Sequence, residues 1–451
     1  MNVVSNTMLK KIGIAAHFAE SKTKCRCACL VFSPLKKRRK NNSYVGNGNV
    51  GMSVVVSELL AHKIAVTFCD AVTAINYDVI LVSITSTYDI MAFLLTVRKL
   101  DWWKRDTRKF KVIVGGAGLT NPTAIRAFCD YAIFGRCEGF IHNVVDTVLR
   151  GRAPVHSAIM HLPDISQQVV VAQADRLYHR QIGRWNEAFI GCKNYCKFCQ
   201  YSWMHRHVGG SNNYVNTGLC DGNSPELMFR DLLDISRKHG RIRCAIDGAS
   251  ERLRYAYGKH ISNDMIISGI EAVGRFTGTT ILLVYNITNF PTETETDMQE
   301  LFLTLNKADP ANRVIMVLHS TPFRPSNLTP MQWSPAKIKS IGHLRATTIV
   351  DKPKFMAKHS FSLEGPASHQ LCLLIERCVP AFDDAIDWMA SNIRGDQEQV
   401  AVLFKANFPA VQEAITREYK PYSDNHPCDG MRSFTDPWKM KYMADRINKI
   451  V

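Results

Sequence analysis

No stretch of the 451-residue sequence approaches the ~20 apolar residues that a membrane span requires. The longest apolar runs, DVILVSI and TILLVYNI, are strand-length. The N-terminus, MNVVSNTMLKKIGIAAHFAE, lacks a charged segment followed by an apolar block, so it does not read as a secretory signal. Fourteen cysteines are too few in so long a chain for a disulfide scaffold. They fit free thiols in a reducing, soluble compartment such as the cytoplasm, with a few used for metal and no membrane partner. Internal repeats and low-complexity tracts are absent. With 46% apolar residues, the chain has the composition of a globular protein of two to four domains.

Basic residues outnumber acidic ones, 56 to 40, for a formal charge of +16. That balance suits a polyanionic partner or substrate, a nucleotide or nucleic acid, through counterion release and steering. It equally suits a soluble protein with scattered lysines. The one dense cluster, KKRRK at 36–40, sits beside NNSYVGNGNVG and reads as a solvated loop.

The first part alternates β-prone and helical segments. CRCACLVFS (25–33), IAVTFCD, YDVILVSIT, KVIVGGAG and YAIFG read as strands. GMSVVVSELLAHK, DIMAFLLTVRKLDWW, PTAIRAFCD and EGFIHNVVDTVLRG read as helices between them. Such alternation predicts βαβ units and a parallel, Rossmann-like sheet over residues 20–152. An irregular linker follows at 153–185. A second series of βα units at 186–359 has strands AFIGC, RCAIDG, TTILLVYNI, RVIMVLHS and HLRATTIV. Its helices, SPELMFRDLLDISRKHG and SNDMIISGIEAVGRF, open on N-cap residues at Ser224 and Ser262. Five or six such units predict an incomplete (β/α)6 barrel. Residues 360–451 read as a mainly helical extension. The fold class is therefore α/β throughout the first two domains.

Within FIGCKNYCKFCQYSW (189–203), Cys192, Cys196 and Cys199 follow the pattern C-x3-C-x2-C. A tetrahedral zinc site needs four ligands, and here His205 or His207 would have to supply the fourth. Three thiolates on an iron–sulfur cluster leave one iron open. The motif begins at the C-terminal end of a strand, the face of a βα barrel where chemistry occurs.

This motif, with Phe198 at its aromatic position, resembles the signature of the radical S-adenosylmethionine superfamily. RCAIDGASERLRY (243–255) resembles the superfamily's Gly-Gly-Glu-like element, with Gly-Ala-Ser-Glu in its place. YNITNFPTETETDMQELF (285–302) resembles the G-F-P-x-E-T-x-x-D segment of the cobalamin-type enzymes, with Asn289 where glycine is usual. VLHSTPFRPSNLTPMQW (317–333) resembles their F-x-P-x-P-x-T-P-x-Q-W segment. Barrel packing and turn chemistry also account for these Pro-rich stretches.

The resemblance implies a [4Fe–4S] cluster on Cys192, Cys196 and Cys199. It implies S-adenosylmethionine bound beside Phe198, its amino group met by Glu251 or Ser250. It also implies an electron donor such as flavodoxin or ferredoxin. One electron from the cluster then cleaves the sulfonium to give a 5′-deoxyadenosyl radical, which attacks an unactivated carbon.

A Rossmann-like domain ahead of a radical barrel resembles the cobalamin-binding class. The candidate cobalamin contacts lie after two strands: Ser83 and Thr85 in SITSTYD, and Gly115, Gly116 and Gly118 in VGGAGLTNP. Tight βα turns explain these glycines as well. The D-x-H-x-x-G pattern is missing, so no lower axial ligand can be named. Both a cobalamin enzyme with an open lower face and a cobalamin-free one fit. Cys25, Cys27 and Cys29 alternate along a strand and space their thiols ~6.6 Å apart on one face, which fits buried packing rather than one metal.

Methyl transfer to carbon leads the functional readings. Its rivals are a cobalamin-independent rearrangement or modification of a nucleotide base and, in a different class, a non-catalytic metal-bearing nucleic-acid-binding module.

Overall fold

β1 (Cys27–Val31), β2 (Val66–Phe68), β3 (Val79–Ser83), β4 (Lys111–Gly115) and β5 (Tyr131–Ile133) pair in the order β2-β1-β3-β4-β5, all parallel. This is the flavodoxin-type doubly wound order, which switches direction between β1 and β3. The computed structural model describes residues 25–31, 50–100, 102, 104–162, 167–174, 189–192, 194–209, 241–277, 280–308, 313–338, 351, 355–356, 360–420, 431–432 and 437–447.

β3, VILVS, is buried at all five positions, as a parallel strand covered on both faces must be. Cys27, Cys29, Val79, Leu81 and Ile113 face the helices Val50–Ala61 and Ile141–Leu149. Cys27 and Cys29 are fully buried there, as the packing argument expects. Burial pushes the Cys27 thiol up to about 12. The helix Thr87–Val97 packs on the opposite face.

β6 (Ile159–His161) adds an antiparallel edge to β5. It lies inside the stretch expected to be irregular linker. Three residues are too short to show a period, so pairing rather than local pattern defines it. β7 (Val169–Val170) pairs with β14 (Met431–Arg432).

The second sheet departs from its expected start. β8 (Phe189–Ile190) is only two residues long and pairs antiparallel with β9 (Val208–Gly209), not with the next strand of the series. β10 (Arg241–Ala245), β11 (Thr280–Thr288), β12 (Val314–Pro322) and β13 (Ser360–Leu363) then pair in sequence order, all parallel. Along β12, Val314, Met316 and Leu318 are buried beneath the helices Asn263–Thr277 and Glu295–Lys307, while the intervening Ile315 is exposed. Ser262 caps its helix as expected, accepting from Met265 N at 3.1 Å. The strand expected at HLRATTIV and the helix at 224–240 lie outside the described residues.

The C-terminal extension is helical, with Pro366–Glu376, Asp383–Asn392, Gln397–Asn407 and Pro409–Thr416. Its helices complete the first domain. Leu371, Leu374, Ile386, Met389 and Phe404 share one core with Ile90, Phe93 and Val114. Each such side chain contributes ~1.5–3 kcal/mol by leaving water.

Polar contacts tie the same junction. The buried Glu376 carboxylate accepts from Thr87 Oγ1 at 2.9 Å, Thr120 Oγ1 at 2.8 Å and Asn327 Nδ2 at 3.1 Å. Loops of both sheets thus meet on one carboxylate from the extension. No helix among the described residues is long and apolar enough to cross a membrane.

Candidate functional site

The cysteine loop is shaped by its backbone. Gly191 has φ +67°, and a Cβ there would stand 2.6 Å from His205 O. Cys199 N donates to Cys196 O at 3.0 Å, and Ser202 N to Cys199 O at 3.1 Å, opening the short helix Gln200–Met204. Trp203 Nε1 donates to Cys196 O at 2.9 Å. Lys197 anchors the loop to the end of the helix Glu251–Ala256, its N donating to Tyr257 O at 2.8 Å and its Nζ to Ala256 O at 2.7 Å. These bonds fix the loop without using the sulfurs.

Cys196 is buried, and Cys192 and Cys199 are half-buried. Burial pushes the Cys196 thiol well above its usual range; Lys259 opposes the rise, while Cys199, Asp247 and Cys192 add to it. Burial also raises Cys199, against hydrogen bonds from Ser202. Thiols gathered in one loop suit a metal, which would displace their protons. Three thiolates leave one position of a tetrahedral zinc open, and on an iron–sulfur cluster they leave one iron open.

Aromatic rings wall one side. Phe198 lies against Phe290 with centroids 5.6 Å apart, and Tyr257 stacks on Phe290 at 4.3 Å. Asn289 adopts φ +60°, a left-handed backbone that glycine takes freely and asparagine tolerates. That explains asparagine's place in the N-F-P segment.

Asp247 and Lys259 form an ion pair at 2.6 Å beside the thiols. Glu251 Oε2 accepts from Asn263 N at 2.7 Å, capping the helix Asn263–Thr277. Ser250 is fully buried, accepts from Leu253 N at 3.3 Å and donates to Asp297. Burial alone would raise Asp297, but bonds from Ser250, Thr294 and Arg252 outweigh it and hold it low. Both expected S-adenosylmethionine contacts are therefore engaged in helix capping, and the acid that faces the thiols is Asp247.

The strand ends of the first sheet open onto a cavity of about 200 Å³. Ser83, Gly115 and Gly116 line it from one side, and Ile190, Tyr201, Met204 and His205 from the other. The segment carrying the cysteines thus abuts the sheet edge where ligands bind in open α/β folds. His205 is buried, its Nδ1 has no hydrogen-bond partner among the described residues, and burial holds its imidazole down at about 4.

The fold gives two of the glycines a role of their own. A Cβ on Gly116, at φ +118°, would stand 2.2 Å from Ile84 O, and one on Gly118 2.3 Å from Ser86 N. These two glycines make room for the neighbouring loop, as tight βα turns require. Thr85 is likewise committed, donating to Asp89 through its N–H at 2.7 Å and through its hydroxyl. Gly115, whose Cβ would meet Ile133 O at an ordinary 3.4 Å, is not under that constraint.

Buried polar atoms without partners among the described residues lie at or just past the C-terminal ends of β11, β12 and β13: Thr288 Oγ1, Ser320 Oγ, Arg324 Nη1 and both oxygens of Glu364. Burial pushes the Glu364 carboxyl up to about 7. Another cleft, about 700 Å³, lies elsewhere, between the helices Thr87–Val97 and Asp383–Asn392. Salt-bridging residues, Arg126 with Asp383 among them, line it, and it holds no part of this chemistry.

The chain is similar to solved cobalamin-dependent radical S-adenosylmethionine enzymes. One is the methyltransferase TsrM from Kitasatospora setae, with cobalamin and a [4Fe-4S] cluster bound, at 12% identity and TM-score 0.36 over 75% of each chain. Another is OxsB, at 12% identity and TM-score 0.31 over 99% of this chain and 66% of that one. No protein-family model and no curated protein matches. At such identity the functional reading rests on the chain's own residues.

Proposed function

We propose that the chain is a radical S-adenosylmethionine enzyme acting on an unactivated carbon. The observation that carries the reading is the C-x3-C-x2-C loop, whose backbone is fixed by hydrogen bonds and whose cysteines are buried or half-buried. Cys192, Cys196 and Cys199 would hold a [4Fe–4S] cluster. When bound, the cluster supplies one electron for reductive cleavage of the S-adenosylmethionine sulfonium. Phe198 and Phe290 exclude water from the adjoining space. Asp247, paired with Lys259, is the acid placed to hold the amino group; Glu251 and Ser250 support its turn by capping. Flavodoxin or ferredoxin suits the role of electron donor.

Cobalamin-type methyl transfer is the first reading of the reaction, because the sheet edge expected to bind cobalamin faces the cysteine segment. The cavity there is smaller than the ~300–1,000 Å³ that drug-sized ligands occupy, and a corrin is larger still. Seating one requires the two walls to part. Cavity size therefore favours a second reading, a cobalamin-independent radical modification. The charge of +16 supports no substrate assignment, since the KKRRK run lies outside the described residues.

The test is anaerobic reconstitution with iron and sulfide, followed by iron analysis and an assay of S-adenosylmethionine cleavage. Cys192→Ala, Cys196→Ala and Cys199→Ala should each lose both iron and cleavage. Cys27→Ala and Cys29→Ala should keep them. Full iron content in Cys196→Ala would overturn the proposal.

A further inference from the structure

We propose that the outer face of the helix Pro437–Ile447 is the docking surface for an acidic, one-electron carrier protein that reduces the cluster. The proposal rests on the reading of Cys192, Cys196 and Cys199 as cluster ligands and adds the place where the electron arrives.

The sequence PWKMKYMADRI divides this helix into two faces. Met440, Met443, Ala444 and Ile447 recur at i, i+3, i+4 and i+7 and turn inward. Ile447 joins the core that holds Cys196 and Phe198, while Met440 and Ala444 pack with Trp203. Trp203 is the residue whose indole donates to Cys196 O. The inner face is therefore seated on the cysteine loop, and the outer face stands one helix diameter, ~10–12 Å, away from it.

The outer face is aromatic and cationic. Trp438 is 70% exposed and Tyr442 47%, and their rings stack at 5.5 Å and 12°. Arg446 lies over the Tyr442 ring at 5.8 Å. Trp, Tyr and Arg are the residues that most often dominate the energy of protein interfaces. Lys439, Lys441 and Arg446 give the face three cations against one acid, Asp445, which Lys441 holds at 3.0 Å. Arg446 also crowds Lys197 of the cysteine loop. Burial first, and then that neighbouring charge, hold the Lys197 ammonium below its usual range. An anionic partner relieves this repulsion.

Charge and position together select the partner. Electron-transfer encounters bury little surface, under ~1,200 Å² in total, and opposite charges steer them, so one helix face suffices. A single-stranded nucleic acid would also stack on Trp438 and Tyr442. It gains nothing from standing over the thiols, whereas electron transfer falls steeply with distance from the cluster. The step moves one electron: the carrier is oxidised, the cluster is reduced, and no bond forms or breaks.

The experiment uses the full chain, its iron reconstituted anaerobically, with reduced flavodoxin as the probe. Carbodiimide cross-linking joins lysines directly to carboxylates, and peptide mapping should place the cross-links at Lys439 and Lys441. Cluster reduction, followed by bleaching of its visible absorbance, should slow with added salt. It should slow at least tenfold in the double variant Lys439→Glu/Arg446→Glu and in Trp438→Ser, all at exposed positions. Dithionite, too small to need a docking face, should reduce the cluster equally fast in all three chains, with iron content and melting temperature unchanged. Cross-links confined to other lysines, or wild-type rates with flavodoxin in both variants, would overturn the proposal. An equal loss with dithionite would also overturn it, because the helix then acts by shaping the cysteine loop. A single-stranded oligonucleotide whose binding both variants abolish, while flavodoxin reduction stays at the wild-type rate, would assign the face to nucleic acid instead. A wild-type chain that holds no iron overturns the cluster reading before any donor is added, and the docking proposal with it.

Discussion

Glu364→Gln should flatten the pH dependence of stability by a calculable amount. Glu364 directly follows β13, and its carboxyl has no hydrogen-bond partner among the described residues. Arg324 and Glu376 surround the same buried Cys372 thiol that senses Glu364. Burial raises the carboxyl from 4.5 to about 7. Between those values the folded chain binds more protons here than the unfolded one, so stability falls as pH rises and the loss is complete above about 7. At ~1.36 kcal/mol per tenfold the full loss is about 3 kcal/mol, of which about 2.5 falls between pH 5 and pH 8. Glutamine mimics the protonated form and should remove that loss. The assay is urea denaturation of the cofactor-free wild type and variant at pH 5 and pH 8. With m near ~3 kcal/mol/M, the variant should gain just under ~1 M in midpoint relative to wild type between the two pH values. Parallel pH dependences would refute a desolvated carboxyl at this position.

Gly116→Ala should destabilise the first domain by at least ~2 kcal/mol, because its Cβ meets Ile84 O and its φ is positive, whereas Gly115→Ala should melt like the wild type. Gly115→Val is therefore the substitution that tests hydroxocobalamin retention; if filling the cavity leaves full retention, cobalamin does not use this edge. Glu376→Ala removes the acceptor shared by Thr87, Thr120 and Asn327 and should cost ~1–3 kcal/mol for each buried donor left unsatisfied, read by thermal melting and by faster cleavage between the domains in limited proteolysis. Unchanged melting would show that the apolar core alone holds that junction.

The first sheet was legible because its strands are continuous apolar runs separated by helical spacing, and Val79–Ser83 follows that rule at every position. The strand Ile159–His161 was not, since three residues carry no period. The thiol spacing of the cysteine loop was legible in full. The acid beside it was not: Asp247 and Glu251 both lie near the end of β10, and only the fold shows that Glu251 turns to cap Asn263 while Asp247 pairs with Lys259 near the sulfurs. Gly116 and Gly118 are ambiguous in sequence for a related reason. A glycine marks a close approach, and sequence does not say whether a ligand or the loop at Ile84 makes it.

The core shared between the first domain and the C-terminal helices sets an order on how the chain is made. About 250 residues separate β4 from the helix Pro366–Glu376 that shares its core. At ~5–20 residues per second, a ribosome takes on the order of 10–50 s to deliver that helix. Through that interval the nascent domain has one packed face, against Val50–Ala61 and Ile141–Leu149, and one carrying Phe93 and Val114 with only part of its partners. Contacts so distant along the chain make its completion slow, and the half-covered sheet is the species that a holding chaperone would meet during synthesis.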